Sequence, residues 1–162
     1  IAEAKGMDSI TISEELENLS NDELIEIAKE KGLEDRLVLD ADGNIAEHIA
    51  GNFYIVTNGV LRMPTDRSSL QGDTQLAIRE LAVQLGIPIV QEDLQIYDAY
   101  NADEVFLSNA TYCILPAGKI DNRPIGNTVP GPITSQLQSA WSEMVGLDFV
   151  DQALSYRNRK NN

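Results

Sequence analysis

The spacing of apolar and polar positions divides the chain into helical and extended segments. A helical spacing over residues 20–32 predicts a helix that Ser20 caps and Gly32 ends. Downstream, short apolar runs between turn residues predict extended segments. They are residues 36–40, 45–48, 52–57, 60–63, 87–90, 105–107, 112–115 and 123–125. Because such segments interleave with helices, we predict a mixed α/β fold.

Two further helices are predicted in the second half of the chain, with a short helical turn near residues 93–102. The first begins at Asp73, which we expect to cap it, and ends before Gly86. The last begins at Gly131-Pro132 and ends at Gly146. Their expected core faces are Leu76, Leu81, Ala82 and Leu85 in the first, and Ile133, Leu137, Ala140 and Met144 in the last.

The chain divides into three parts by composition and by the pattern of its apolar positions. Residues 1–35 form an acidic helical segment, residues 36–154 the main domain, and residues 155–162 a polar tail that we expect to be loose. With 162 residues, the chain is long enough for one domain with a real core. It has neither a run of about 20 apolar residues nor a signal pattern at its start, so we expect a cytoplasmic protein.

Charge and composition exclude several kinds of partner. The formal net charge is −14, with 26 acidic and 12 basic residues. Such a surface argues against nucleic acid and against anionic membranes, since both are bound through basic side chains. One cysteine, Cys113, and one histidine, His48, offer no metal cluster. We expect Cys113 in the core and His48 at the surface.

Three segments suggest a ligand with a phosphate at one end and a basic nitrogen at the other. Leu70-Gln71-Gly72-Asp73-Thr74-Gln75 carries a glycine and a hydroxyl into a helix start, where free amides favour anions. Glu47, between apolar neighbours, is a candidate partner for a protonated ring nitrogen. A second hydroxyl follows an apolar run in Asn109-Ala110-Thr111.

From these residues alone, an ordinary structural interpretation stays open for each segment. From spacing alone, Glu47 is more typical of a carboxylate turned to water. Gly72 and Thr74 are consistent with a plain helix start capped by Asp73, whose charge would also repel a phosphate. Thr111 alone indicates only a turn.

The order of the motifs resembles the large, C-terminal domain of the class IV aminotransferases, from about Arg36 to Ala153. The resembling segments are residues 39–47, 51–56, 70–75, 102–108, 114–116, 123–126 and 131–134. This resemblance implies a pseudo-barrel of strands flanked by helices, and pyridoxal 5'-phosphate as cofactor. It also implies amino group transfer between a small hydrophobic amino acid and a 2-oxo acid, as in the branched-chain enzymes.

The resemblance assigns roles to particular residues. Glu47 would pair with the pyridine nitrogen of the cofactor. The phosphate would be held by the turn of Leu70, Gly72, Asp73 and Thr74, together with a second loop of Ala110 and Thr111. A homodimer is also implied. The chain departs from the family at position 73, which is usually apolar, and at Gln75, where an arginine is usual.

The Schiff-base lysine of the family is not identified in this chain. Counting back from Glu47 leads to the neighbourhood of Ser13, where no lysine stands. Three alternatives remain open: the lysine and the small domain belong to a part outside this chain or to a companion chain; the protein is a divergent member without catalysis; or residues 1–35 replace the usual segment and leave a bare domain. The second function hypothesis is therefore a catalytically silent binding or assembly module.

Overall fold

The computed structural model describes residues 10–11 and 36–160, with side chains from residue 36 to residue 155. The strands in this described part are β1 (Ile10–Thr11), β2 (Leu37–Leu39), β3 (Ile45–His48), β4 (Asn52–Thr57), β5 (Val60–Met63), β6 (Ile89–Gln91), β7 (Glu104–Asn109), β8 (Cys113–Ala117), β9 (Lys119–Ile120) and β10 (Arg123–Pro124). The helices in the same part are α1 (Asp73–Gln84), α2 (Ile96–Tyr100), α3 (Pro132–Val145) and α4 (Phe149–Lys160). The helix predicted over residues 20–32 lies outside the described residues.

A five-stranded mixed sheet in the order β6-β5-β4-β7-β8 forms the centre of the fold. Only the β5–β6 pair in this sheet is parallel, and the other three pairs are antiparallel. A second sheet has the order β1-β2-β3, with β1 parallel to β2, and β9 pairs with β10. The mixed α/β fold predicted from the sequence is confirmed.

Side chains alternate between two cores along strand β4. Tyr54 and Val56 face one core, which also contains Leu81 of α1 and Trp141 of α3. Phe53 and Ile55 face the other, which contains Leu37 of β2 and Ile45 of β3. Successive residues of a strand point to opposite faces, so the central sheet is covered by helices on one side and by the second sheet on the other.

The predicted helix α1 is present, but its buried face is turned from the one expected. Its buried residues are Gln75, Ile78, Leu81 and Ala82. Leu76 and Leu85, which we expected in the core, are exposed. The expectation of Asp73 as the cap is also wrong, because the N-cap is Gly72 and Asp73 is the first residue of the helix.

Two expectations for the last part of the chain are also corrected. In α3, Met144 is half exposed, whereas Leu137 is fully buried as expected. The residues after Leu154, predicted to be a loose tail, continue helix α4 as far as Lys160. Within the described residues, no helix combines the length and the apolar character that crossing a membrane requires.

Helix α3 is capped by a side chain from the central sheet. The buried carboxylate of Glu104, the first residue of β7, accepts hydrogen bonds from the backbone N–H of Ile133 at 2.9 Å and of Thr134 at 2.8 Å. The Thr134 hydroxyl donates to the same carboxylate at 2.7 Å. A Cβ added at Gly131 would lie 2.2 Å from Cδ of Glu104, so only glycine fits there. The carboxylate therefore fixes the start of α3 to β7.

Candidate functional site

A cleft of about 300 Å³ opens where three turns meet at one end of the central sheet. The first turn, residues 49–51, joins β3 to β4. The second, residues 64–72, leads into α1 and is called the Leu70 turn below. The third, residues 109–112, joins β7 to β8 and is called the Asn109 turn. The structure brings six of the seven predicted site residues to the wall of this cleft: Glu47, Leu70, Gly72, Asp73, Thr74 and Ala110.

Glu47 lies on β3, where its backbone pairs with Val38 of β2. Its carboxylate is half-buried, and Oε1 accepts a hydrogen bond from the backbone N–H of Leu70 at 3.1 Å. Burial raises the pKa of Glu47, and the hydrogen bond from Leu70 opposes that rise. Glu47 is therefore not a freely solvated carboxylate, and within the described residues no basic side chain lines the cleft.

The start of helix α1 also lines the cleft. Within the described residues no side chain accepts a hydrogen bond from the amides of its first turn, so these amides remain available to an anion. Thr74, the second residue of the helix, is half-buried and lines the cleft as well. Asp73 is exposed and adds a negative charge there, which opposes anion binding.

Side chains from several elements hold the Leu70 turn in place. The Asn52 side chain donates through Nδ2 to the carbonyl oxygen of Leu70 at 2.8 Å. The Ser68 hydroxyl donates to Asp40 at 3.1 Å. Asp66 accepts from Arg79 of α1 at 2.5 Å, and from Gln91 of β6 at 2.6 Å.

Asn52 is a cleft residue that the sequence did not single out. Its side chain is 6% exposed, although it opens an otherwise apolar strand. That single polar position at the start of an apolar run is the signal that could have found it.

The Asn109 turn is held by its own first residue. Oδ1 of Asn109 accepts from the backbone N–H of Thr111 at 2.8 Å and of Tyr112 at 2.9 Å. Its Nδ2 donates to the carbonyl oxygen of Ala50 at 2.8 Å, which ties this turn to the one between β3 and β4. Ala110 lines the cleft, whereas Thr111 is not among the lining residues, so its proposed contact with a phosphate stays a prediction.

The remaining candidate residues lie away from the cleft or outside the described part. The neighbourhood of Ser13 is outside it, and Lys119, the lysine whose side chain is described, does not line the cleft. His48, expected at the surface, is buried, and its Nδ1 accepts from the backbone N–H of Ala50 at 3.2 Å. Cys113, expected in the core, is partly buried. Over residues 10–11 and 36–160, no group of three or more potential ligands could hold a metal ion.

Comparison with known proteins identifies the family of this chain. Residues 20–120 match the family described as amino-transferase class IV. The match begins inside the acidic segment 1–35, which we expected to fall outside the resemblance.

Relatives of known name and structure agree with this match. The branched-chain-amino-acid aminotransferase of Escherichia coli K12 is 36% identical over 115 residues, which are 70% of this chain and 37% of that protein. The solved structure of the branched-chain amino acid aminotransferase from E. coli superimposes with a TM-score of 0.69 at 28% identity, covering 84% of this chain and 51% of that one.

A second solved structure is that of an aminotransferase from Brucella abortus bound to the cofactor PLP. It superimposes with a TM-score of 0.67 at 25% identity, covering 88% of this chain and 55% of that one. The chain thus spans less than half the length of the curated E. coli relative and about half of each solved structure. The family match covers more than half of the chain, and the chain belongs to the class IV aminotransferases.

Proposed function

We propose that this chain supplies the pyridoxal 5'-phosphate-binding domain of an aminotransferase. The reaction would move an amino group between a small hydrophobic amino acid and a 2-oxo acid. The observation that carries the proposal is that one cleft contains both a half-buried carboxylate, Glu47, and the uncapped start of helix α1. These two groups suit the two ends of the cofactor.

The start of α1 suits the phosphate. The amides of the first turn point along the helix axis, where the helix dipole favours an anion, and the Thr74 hydroxyl can donate a further hydrogen bond. The exposed carboxylate of Asp73 works against this fit, because it adds a negative charge at the same wall. The hydrogen-bond donors at this end of the cleft therefore suit a phosphate, whereas the carboxylate of Asp73 weakens its binding.

Glu47 suits the ring end. When bound, pyridoxal 5'-phosphate supplies a ring that draws electrons from the α-carbon of the substrate, most strongly when its nitrogen is protonated. Burial raises the pKa of Glu47, because the ionised carboxylate loses contact with water. A cation beside this carboxylate would be stabilised by its negative charge and would in turn favour the ionised form of Glu47. In this arrangement Glu47 would hold the proton on the ring nitrogen, and the Leu70 N–H would orient the carboxylate.

A catalytically silent binding or assembly module is the second candidate function. It is favoured by a specific observation: no lysine of the described part of the chain lines the cleft. The two candidates predict different behaviour of the same pocket. Both would bind the cofactor, but only the active aminotransferase would form a covalent bond to it through a lysine.

The assignment of substrates rests on the names of the relatives, which are branched-chain-amino-acid aminotransferases. Because this chain spans less than half of those proteins, the substrate, a homodimer or a companion chain, and a cytoplasmic location are all part of the proposal. Light scattering of the purified chain, alone and with a candidate companion chain, tests the assembly.

Binding of pyridoxamine 5'-phosphate tests the proposal without requiring a lysine. We expect it to bind the 162-residue chain in calorimetry, and pyridoxamine without phosphate to bind much more weakly. Glu47→Ala should weaken both ligands, because each retains the ring nitrogen. Equal affinity for the two ligands, or no effect of Glu47→Ala, would count against the two-ended pocket.

The choice between active domain and silent module needs a second measurement. With pyridoxal 5'-phosphate, a lysine adduct gives a visible absorption band, and borohydride fixes it to the protein. Reversible binding without such fixation would favour the silent module, or a lysine on another chain.

A further inference from the structure

The backbone of Leu70 connects the two ends of the cleft. Its N–H donates to Oε1 of Glu47 at 3.1 Å, and its carbonyl oxygen accepts from the backbone N–H of Gly72 at 3.0 Å. The Leu70 side chain is 54% exposed, so these contacts depend on the backbone of the turn and not on packing of the side chain. Any shift of this backbone would move the ring end and the phosphate end together.

Asn52 is the side chain that fixes this backbone from the sheet. Its Nδ2 donates to the Leu70 carbonyl oxygen at 2.8 Å across 18 positions of sequence. Asn52 is the first residue of β4, opposite Ser108 of β7, so its own position is set by the central sheet. Its Oδ1 lies 3.9 Å from where a Cβ of Gly72 would be, which places the amide between the Leu70 turn and the start of α1.

We propose that Asn52 is a positioning residue of the cofactor pocket, which acts through Leu70 to orient Glu47 and the start of α1. The proposal rests on the proposed function. Asn52 lines the cleft itself, and its amide gives the Leu70 carbonyl oxygen a second hydrogen-bond donor beside the N–H of Gly72. Loss of this donor frees the Leu70 turn and removes from Glu47 the N–H that favours its ionised form.

The experiment compares Asn52→Ala and Asn52→Leu with the control Gln138→Ala. Leucine keeps the branching of asparagine without a donor. Gln138 of α3 is also buried, and its Nε2 donates to the backbone carbonyl oxygen of Ile114 at 3.3 Å, but it does not line the cleft. Carbon NMR of labelled glutamate side chains follows the titration of Glu47, identified by its loss in Glu47→Gln, and calorimetry measures the affinity for pyridoxamine 5'-phosphate.

We expect both Asn52 variants to titrate Glu47 at higher pH than the wild-type chain and to bind pyridoxamine 5'-phosphate about tenfold more weakly. The Gln138 variant should lose stability while both readouts stay unchanged. An unchanged Glu47 titration in the Asn52 variants would overturn the proposal, as would failure of both to fold. If wild type does not bind the ligand but the titration still shifts, the proposed function fails and the role of Asn52 stands.

Discussion

The Leu70 turn and the Asn109 turn face the same cleft but are held in opposite ways. Contacts from several different elements hold the Leu70 turn, including those of Asp40, Glu47, Asn52, Arg79 and Gln91. Three hydrogen bonds of one side chain hold the Asn109 turn. The first arrangement spreads the stabilisation over several long-range contacts, and the second concentrates it in one residue.

The two turns also differ in charge. Both acidic residues of the cleft, Glu47 and Asp73, border the Leu70 turn, whereas the Asn109 turn contributes only neutral groups. We therefore expect substitutions near the Asn109 turn to act mainly on stability, and those beside the Leu70 turn to act mainly on ligand affinity.

The largest effect is expected from Gly51→Ala, at the point where the Asn109 turn contacts the turn between β3 and β4. A Cβ at this position would lie 2.3 Å from the backbone oxygen of Ser108 and 3.1 Å from Cβ of Asn109. Since the backbone of β7 must move, we expect a loss of about 3 kcal/mol in the free energy of unfolding. Urea denaturation measures it.

Gly43→Ala is the control for this substitution. Gly43 has a φ of +84° but no atom within 4 Å of an added Cβ, so only its backbone conformation is penalised, by about 1 kcal/mol. Equal losses in the two variants would show that the contact with Ser108 is not tight.

A smaller loss, about 2 kcal/mol, is expected for Asn109→Ala, because two backbone N–H groups and one carbonyl lose their partner. Ser68→Ala in the Leu70 turn removes one of several contacts and should cost at most about 1 kcal/mol. Chemical denaturation of the two variants compares the turns directly, and equal losses would contradict the difference between concentrated and distributed support.

Glu47→Gln separates stability from affinity. Burial raises the pKa of Glu47 in the folded chain above its unfolded value, so the folded chain binds this proton more tightly. Stability is then greater below the unfolded pKa and is lost as the pH rises through the folded pKa. The variant should be more stable than wild type at neutral pH, with the difference closing in acid, and should bind pyridoxamine 5'-phosphate about tenfold more weakly.

Denaturation at several pH values and calorimetry measure these two effects. If the variant is less stable than wild type at neutral pH, the surroundings of Glu47 stabilise its ionised carboxylate. That result would contradict the raised pKa of Glu47.

The smallest effect is expected from Asp73→Asn at the end of the Leu70 turn. Removing the charge should tighten binding of pyridoxamine 5'-phosphate about threefold at low salt, and added salt should reduce this gain. Asp42→Asn, an exposed change away from the cleft, is the control for net charge. The same gain in both variants would assign the effect to the overall charge of the chain.

Local patterns in the sequence predict much of this fold. The apolar run from Phe53 to Val56 identifies a strand, which the structure places between two cores, and Asn58-Gly59 identifies a hairpin in which both residues have positive φ. The same holds for the end of α3 at Gly146, which is left-handed. In each case the determining interaction lies within a few residues.

Features set by distant contacts were missed or misplaced. The face of α1 is turned so that Gln75 is buried and donates to Ser69 at 3.3 Å, while Leu76 is exposed. The direction in which a helix packs depends on the sheet beneath it, which helical spacing does not contain. Asn52 was overlooked for the same reason, because its partner lies 18 residues away. Glu47, Gly72 and Thr74 were candidates from the residues alone. The resemblance of ordered motifs added Leu70, Asp73 and Ala110, because the order of motifs carries information that single residues lack.

The Glu104 cap has a consequence for how the molecule opens. A helix capped by its own preceding residue can fray at that end while the rest of the fold stays intact. Helix α3 instead takes its cap from β7, so the amide protons of Ile133 and Thr134 are released only when that strand separates. Their hydrogen exchange should therefore be as slow as that of the central strands, and α3 and the sheet should unfold as one cooperative unit.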